Sequence, residues 1–199
     1  MKITLAKPDL LKIKDLTGET YTGGSQEWYE DRWQKASGCG PVAACNLIWA
    51  MTCPQGGKEQ YIELMRDMFP FYSPSIGGIN TSALFSKGIA GYSAAHGLHV
   101  TTRALNIPPK PRKRPDLNAV REFIISSLSN DAPVAFLNRS NGTVSNLETW
   151  HWVTIIALDT ETMRADVSDY GKILEIDVST WLKTSILGGA FVYITTSGN

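Results

Sequence analysis

The stretch "ASGCGPVAACN", residues 36–46, places a cysteine between two glycines and ahead of a proline and an apolar run. Gly38 and Gly40 would leave room beside the sulfur for a substrate backbone to pass. Pro41 fits the first position of a helix, where its missing N–H is not needed. The spacing therefore predicts Cys39 at the cap of a helix that runs through "PVAACNLIWAM". At such a cap the unpaired N–H groups and the positive end of the helix dipole favour an anion. A thiolate is such an anion, and this setting lowers a cysteine pKa from about 8.5. The same N–H groups can donate to the oxyanion formed when a thiolate attacks a carbonyl. Cys45, inside the apolar run, reads as a small buried hydrophobe, and Cys53 as a residue of the following turn.

A nucleophilic thiol needs a base, and the chain has three histidines. His96 and His99 flank Gly97 at a predicted helix end, where histidine serves to cap carbonyls. His151, in "ETWHWVTIIAL", stands at the start of a long apolar strand, where a polar ring between two tryptophans needs a partner. A third group should orient the imidazole and favour its charged form. Asp169, in "VSDYGK", ends the next predicted strand. In an antiparallel pair the start of one strand faces the end of the other, so Asp169 can meet His151. Asp166, mid-strand, and Asp159, at the far end of His151's own strand, are its rivals.

Taken together, "GCGPVAACN", then "HWVTIIALD", then "SDYG" resemble the papain-like cysteine peptidases (clan CA). More narrowly they resemble the C39-like peptidase family, whose bacteriocin-processing members cut leader peptides after a Gly-Gly. The resemblance implies Cys39 as nucleophile, His151 as base and later acid, and Asp169 as the orienting residue. It also implies an upstream glutamine that completes the oxyanion hole, for which two positions qualify. Gln34, in "WQKASGC", has the short spacing; Gln26, in "YTGGSQEWYEDRW", lies in a glycine-opened loop that could fold back over the thiol. "GGSQEW" resembles bacterial C39-like proteins without transporter domains, which leans the choice towards Gln26. Between residues 53 and 130 the resemblance offers nothing.

These residues must be positioned by a fold. After the helix from Pro41, "GGKEQYIELMRDMF" (56–69) is amphipathic, with Tyr61, Leu64, Met65 and Met68 on one face. Residues 80–96 form a third helix, entered at Asn80 or Thr81. "HVTTRALNI" (99–107) alternates as a strand, 108–116 is an exposed connector, and "LNAVREFIISSLSN" is a helix. From Pro133 onwards strands dominate: "VAFLN", "WHWVTIIALD", "TMRADVSDYG", "KILEIDV" and "GGAFVYITT", with a short helix "VSTWLKTSI" capped by Ser179 or Thr180. A helical first half followed by an antiparallel second half is an α+β arrangement. The resemblance implies one papain-like domain over 1–199, with the nucleophile on a central helix packed on the sheet.

Composition narrows the function classes. Nineteen basic and nineteen acidic side chains cancel, so no global charge steers the chain to nucleic acid or anionic membrane. No apolar run is long enough for a transmembrane helix. The charged N-terminal stretch lacks a signal-peptide core, and three clustered cysteines suit a reducing compartment, so a cytoplasmic protein is expected. The cysteine gaps do not match a structural zinc site, and neither metal nor organic cofactor is implied. The basic run Lys110, Arg112, Lys113 and Arg114, broken by proline, reads as a solvated loop. The expected partner is a peptide or small amide substrate, passing Gly40, Trp150 and Trp152. The surrounding aromatics, Trp28, Tyr29 and Trp33 among them, line a cleft or belong to the core. Hydrolysis, acyl transfer through the same triad, and a non-catalytic peptide-binding module are the three functions in play. Oligomeric state is left open.

Overall fold

The computed structural model describes residues 1–52 and 56–196. The N-terminal part supplies β1 (Lys2–Thr4), β2 (Lys12–Lys14), β3 (Thr20–Thr22), α1 (Arg32–Ser37), α2 (Cys39–Thr52), α3 (Lys58–Tyr72) and α4 (Ser82–Ala95). It continues with β4 (Val100–Ile107), α5 (Leu117–Leu128), β5 (Val134–Asn138), β6 (His151–Asp159), β7 (Arg164–Asp169), β8 (Lys172–Asp177), α6 (Val178–Thr184) and β9 (Gly189–Thr196). Helices and an antiparallel sheet thus make an α+β architecture, and among the described residues no helix is long and apolar enough to cross a membrane.

The main sheet has seven strands in the order β4-β9-β5-β6-β7-β8, with β1 paired to the C-terminal half of β6. β5 alternates its side chains between two cores, as a strand buried on both faces must. Ala135 and Leu137 pack with α2, α3 and α4, against Leu47, Tyr61, Met65 and Phe85. Val134 and Phe136 pack on the other face with α5 and α6, against Ile124, Trp181 and Phe191. Leaving α2 between the sheet and two further helices explains why it is apolar on nearly every side: Val42 through Ala50 are all buried.

Several local expectations change. α2 begins at Cys39, so Pro41 is the third helical residue and Val42 makes the first bond, to the Gly38 carbonyl at 2.9 Å. Proline is tolerated there because the first-turn N–H groups have no intrahelical partner. α1, not expected from the sequence, is capped by Asp31, which accepts from the Gln34 N–H. α4 starts at the Thr81 cap, one of the two positions expected, whereas α6 is capped by Asp177 and by neither Ser179 nor Thr180. The basic run contains a structural clasp: the Arg114 guanidinium donates to the carbonyls of Pro108, Pro109, Leu182 and Ser185 and ties the connector to α6. A fork of donors suits that task because each carbonyl meets its own N–H.

Candidate functional site

Cys39, His151 and Asp169 come together where the N-terminus of α2 meets the end of the sheet. Thr154 lies opposite Ser168 in the β6–β7 pair. His151, three residues before one, and Asp169, one residue after the other, therefore fall on the same side by strand alternation. Their side chains meet: Nε2 of His151 lies 2.8 Å from the Asp169 carboxylate, and both are buried. That bond leaves Nδ1 as the ring nitrogen for the thiol. Asp169 is held at its post by the two-residue turn Tyr170–Gly171, both with positive φ, which closes the β7–β8 hairpin between Asp169 and Lys172. Such a turn follows the right-handed twist of the strands.

The electrostatics follow from this packing. Burial works against a charged imidazole, but the hydrogen bond to Asp169 and the neighbouring Cys39 outweigh it and raise the His151 pKa from 6.5 to about 10. The ring therefore holds its proton at neutral pH beside a sulfur at a helix N-terminus, where the dipole stabilises negative charge. Cys45, fully buried six residues further along α2, has its thiol pKa raised well above the ordinary value by desolvation. One helix thus carries a partly exposed thiol at its start and a fully buried one further along. Cys53 lies outside the described residues.

Of the two glutamines, the structure brings Gln26 to the site. It lines a small pocket with Cys39, His151 and Asp169, about 10 Å³ in volume, room for one water-sized group. Its Oε1 is buried without a hydrogen-bond partner. Gln34 sits on α1 outside that pocket, its backbone N–H spent on the Asp31 cap. The fold-back of the Gln26 loop depends on α2 itself. Asn46, two turns below Cys39, accepts from the Gly24 N–H at 3.0 Å and the Tyr61 hydroxyl at 2.6 Å, and donates to Thr154 at 2.9 Å. Ser168 donates to the Thr22 carbonyl. A Cβ on Gly23 would overlap Ser168, and one on Gly24 the Tyr61 ring, so both glycines are needed for this close approach.

Two assignments made for Gly38 and Gly40 are corrected. The space a Cβ would take at Gly38 is filled by Tyr29 and the Gln34 carbonyl, and at Gly40 by Ile79, 3.0 Å away. The space beside each glycine is thus taken by the protein's own chain. Trp152 is also corrected: it is buried, stacks on Phe85 at 4.3 Å and donates its indole N–H to the Ile79 carbonyl, so it backs the site from within the core. Trp150 instead is exposed, turned outward by a left-handed backbone at φ 56°.

The chain matches no family model and no curated protein.

Two further residues, Asn138 and Tyr170, contribute to the site. Tyr170 stacks on the His151 ring at 5.4 Å and 14°. Asn138, opposite His151 in the β5–β6 register, donates to the Glu148 carbonyl and accepts from the Trp181 indole, fixing the approach to His151. Strand alternation could have placed Asn138; nothing local could have placed Tyr170 over the ring. Among the described residues, no group of three or more His, Cys, Asp or Glu side chains is arranged to hold a metal ion.

Proposed function

We propose that the protein is a papain-like thiol hydrolase of the C39-like type, cutting a peptide or amide bond through Cys39, His151 and Asp169. The single observation that carries this reading is the buried His151–Asp169 bond, which leaves the other ring nitrogen for a cysteine at a helix N-terminus. The thiolate of Cys39 attacks the substrate carbonyl, and the C=O electron pair moves onto oxygen. The helix N–H groups and the Gln26 side-chain amide stabilise that oxyanion. As the tetrahedral centre collapses the C–N bond breaks, His151 gives its proton to the leaving amine, and a thioester remains on Cys39. Water, deprotonated by His151, then attacks the thioester; the C–S bond breaks and the carboxylic acid leaves. Asp169 keeps the ring aligned throughout, as the third member of a triad does.

The test is turnover of peptide anilides with mass analysis of the intact protein. The parent should release amine and accumulate a thioester on Cys39, while Cys39→Ala and His151→Ala should do neither. Adding an amine acceptor separates the fates of the thioester: amide product in place of acid would make the enzyme an acyltransferase. Absence of both turnover and adduct across a broad peptide set would leave a non-catalytic peptide-binding module.

A further inference from the structure

The main sheet is split at the end far from Cys39. β5 and β9 pair from Asn138–Gly189 to Ala135–Val192 and no further. Bonded pairs alternate along an antiparallel ladder, and the Arg139 N–H donating to the Gly188 carbonyl at 3.2 Å sets their phase. Leu137 with Ala190 and Ala135 with Val192 follow, and the next bonded pair would be Pro133 with Ile194. Proline has no N–H to donate, and among the described residues the ladder ends there. β9 nevertheless runs on to Thr196, with β4 along its other side. By the same alternation, the N–H and C=O of Ile194 and the N–H of Thr196 face the space that β5 has left.

That space is a cavity of about 600 Å³, the size of a ligand cleft. It passes through the sheet, because its lining comes from both faces. Ile194 points to the α2 side, where Leu47 and Met51 make an apolar wall. Tyr193 points to the α5 side, where Ser126 and Asn130 lie. Arg103 stands opposite Tyr193 in the β4–β9 register and so shares its face. It is exposed and has no carboxylate partner among the described residues. Asp131, the one carboxylate among the described lining residues, accepts from the N–H groups of Ala6 and Lys7. The cavity therefore offers an open strand edge between one apolar face and one polar face with a free cation.

An open edge is a template for another strand, and strand addition is a common mode of peptide recognition. We propose that this gap takes an extended peptide segment of a partner protein, added beside β9 and alternating apolar with acidic side chains. The peptide's N–H donates to the Ile194 carbonyl, and its carbonyls accept from the Ile194 and Thr196 N–H groups. Side chains of a strand alternate across a sheet, so the apolar ones fall on Leu47 and Met51 and the acidic ones on the side of Arg103. The free edge of Ile194–Thr196 is about 10 Å long, enough for about three residues of the peptide. Met51 lies about 18 Å along α2 from Cys39, and the inference does not depend on the thiol-hydrolase reading.

The experiment is fluorescence anisotropy of fluorescein-labelled, C-amidated pentapeptides on the full chain carrying Cys39→Ala, so that no probe is cut. Val-Glu-Val-Glu-Val should bind about tenfold or more tightly than Val-Lys-Val-Lys-Val. N-methylation of every peptide nitrogen of the acidic probe, which leaves the protein untouched, should weaken binding by about tenfold or more. Thr196→Pro removes one N–H facing the gap at an exposed strand end, where proline is tolerated, and should weaken it by about fivefold. Arg103→Glu should reverse the preference to the lysine probe. Thermal melts matching the parent's show that both variants are folded. No binding of any probe at about 1 mM, binding indifferent to both N-methylation and Thr196→Pro, or a preference unmoved by Arg103→Glu overturns the proposal. Dimerisation of the parent in sedimentation, lost in Thr196→Pro, gives the edge to a second copy and overturns it as well.

Discussion

The two faces of the central sheet are built from different material. Under α5 and α6 the core centres on stacked aromatics: Phe136 and Phe191 stack at 4.7 Å, Trp181 meets Phe136 edge-on, and buried polar groups gather at its edge, where the Trp181 indole N–H donates to Asn138 and the Ser140 carbonyl. Under α2 an equally tight core is crossed by a polar seam, Asn46, Thr154 and Ser168, that rises from mid-helix to the Cys39–His151–Asp169 corner. Buried polar groups cost stability unless they are bonded, so a seam of this length marks where the fold is committed to something besides holding together. The aromatic face mainly stabilises, touching the site only through Trp181 and Asn138; the seamed face positions.

That contrast can be broken by substitution. The largest effect should separate the two thiols of α2. Cys39→Ala should reduce anilide turnover by on the order of 10³-fold or more, whereas Cys45→Ala should change it less than about twofold and cost about 1–2 kcal/mol in urea unfolding. On the aromatic face, Phe191→Ala should cost about 3–5 kcal/mol yet leave the rate of Cys39 alkylation where it was. A changed rate would mean the two faces are not separable.

On the seamed face the effects are smaller in stability and larger in chemistry. Asn46→Ala removes the anchor of the Gly24 loop and should cost about 1–3 kcal/mol. By loosening Gln26 it should also lower kcat about tenfold, with the larger share in kcat and not KM. Asp169→Asn should bring the His151 titration, followed by NMR of the labelled ring, down from about 10. Since the folded pKa lies above the unfolded value of 6.5, the parent keeps the stability of this pair fully below pH 6.5 and loses it as pH rises through about 10. Urea melts at the two ends of that window should differ more for the parent than for Asp169→Asn. The smallest effect is expected at Trp150→Gly, which removes an exposed side chain from a left-handed position and should shift stability by no more than about 0.5 kcal/mol.

What could be read from the chain was what lies at the ends of elements. Cys39, His151 and Asp169 each stand at a helix start, a strand start and a hairpin turn, and each carries its own local signal. The choice between Gln26 and Gln34 was not local, because it depends on Asn46 and Ser168 pulling the glycine loop back over α2. The three-residue strands β1, β2 and β3 were invisible because strands so short have no period to detect. The placement of β4 at the sheet edge beside β9 rests on pairing between distant segments. Trp150 and Trp152 are two apart and should share a side in a regular strand. The positive φ at Trp150 breaks that rule and sends one ring to the surface and the other to the core.

The most direct measurement is the rate of Cys39 alkylation by iodoacetamide from pH 5 to 10, mapped by peptide mass in the parent and in His151→Ala. With a protonated His151 beside it, Cys39 should be labelled fast and alone below pH 7, and His151→Ala should slow that labelling by about tenfold or more. Labelling of Cys53 as fast as Cys39 in the parent, or a rate at Cys39 unchanged by His151→Ala, would contradict the account.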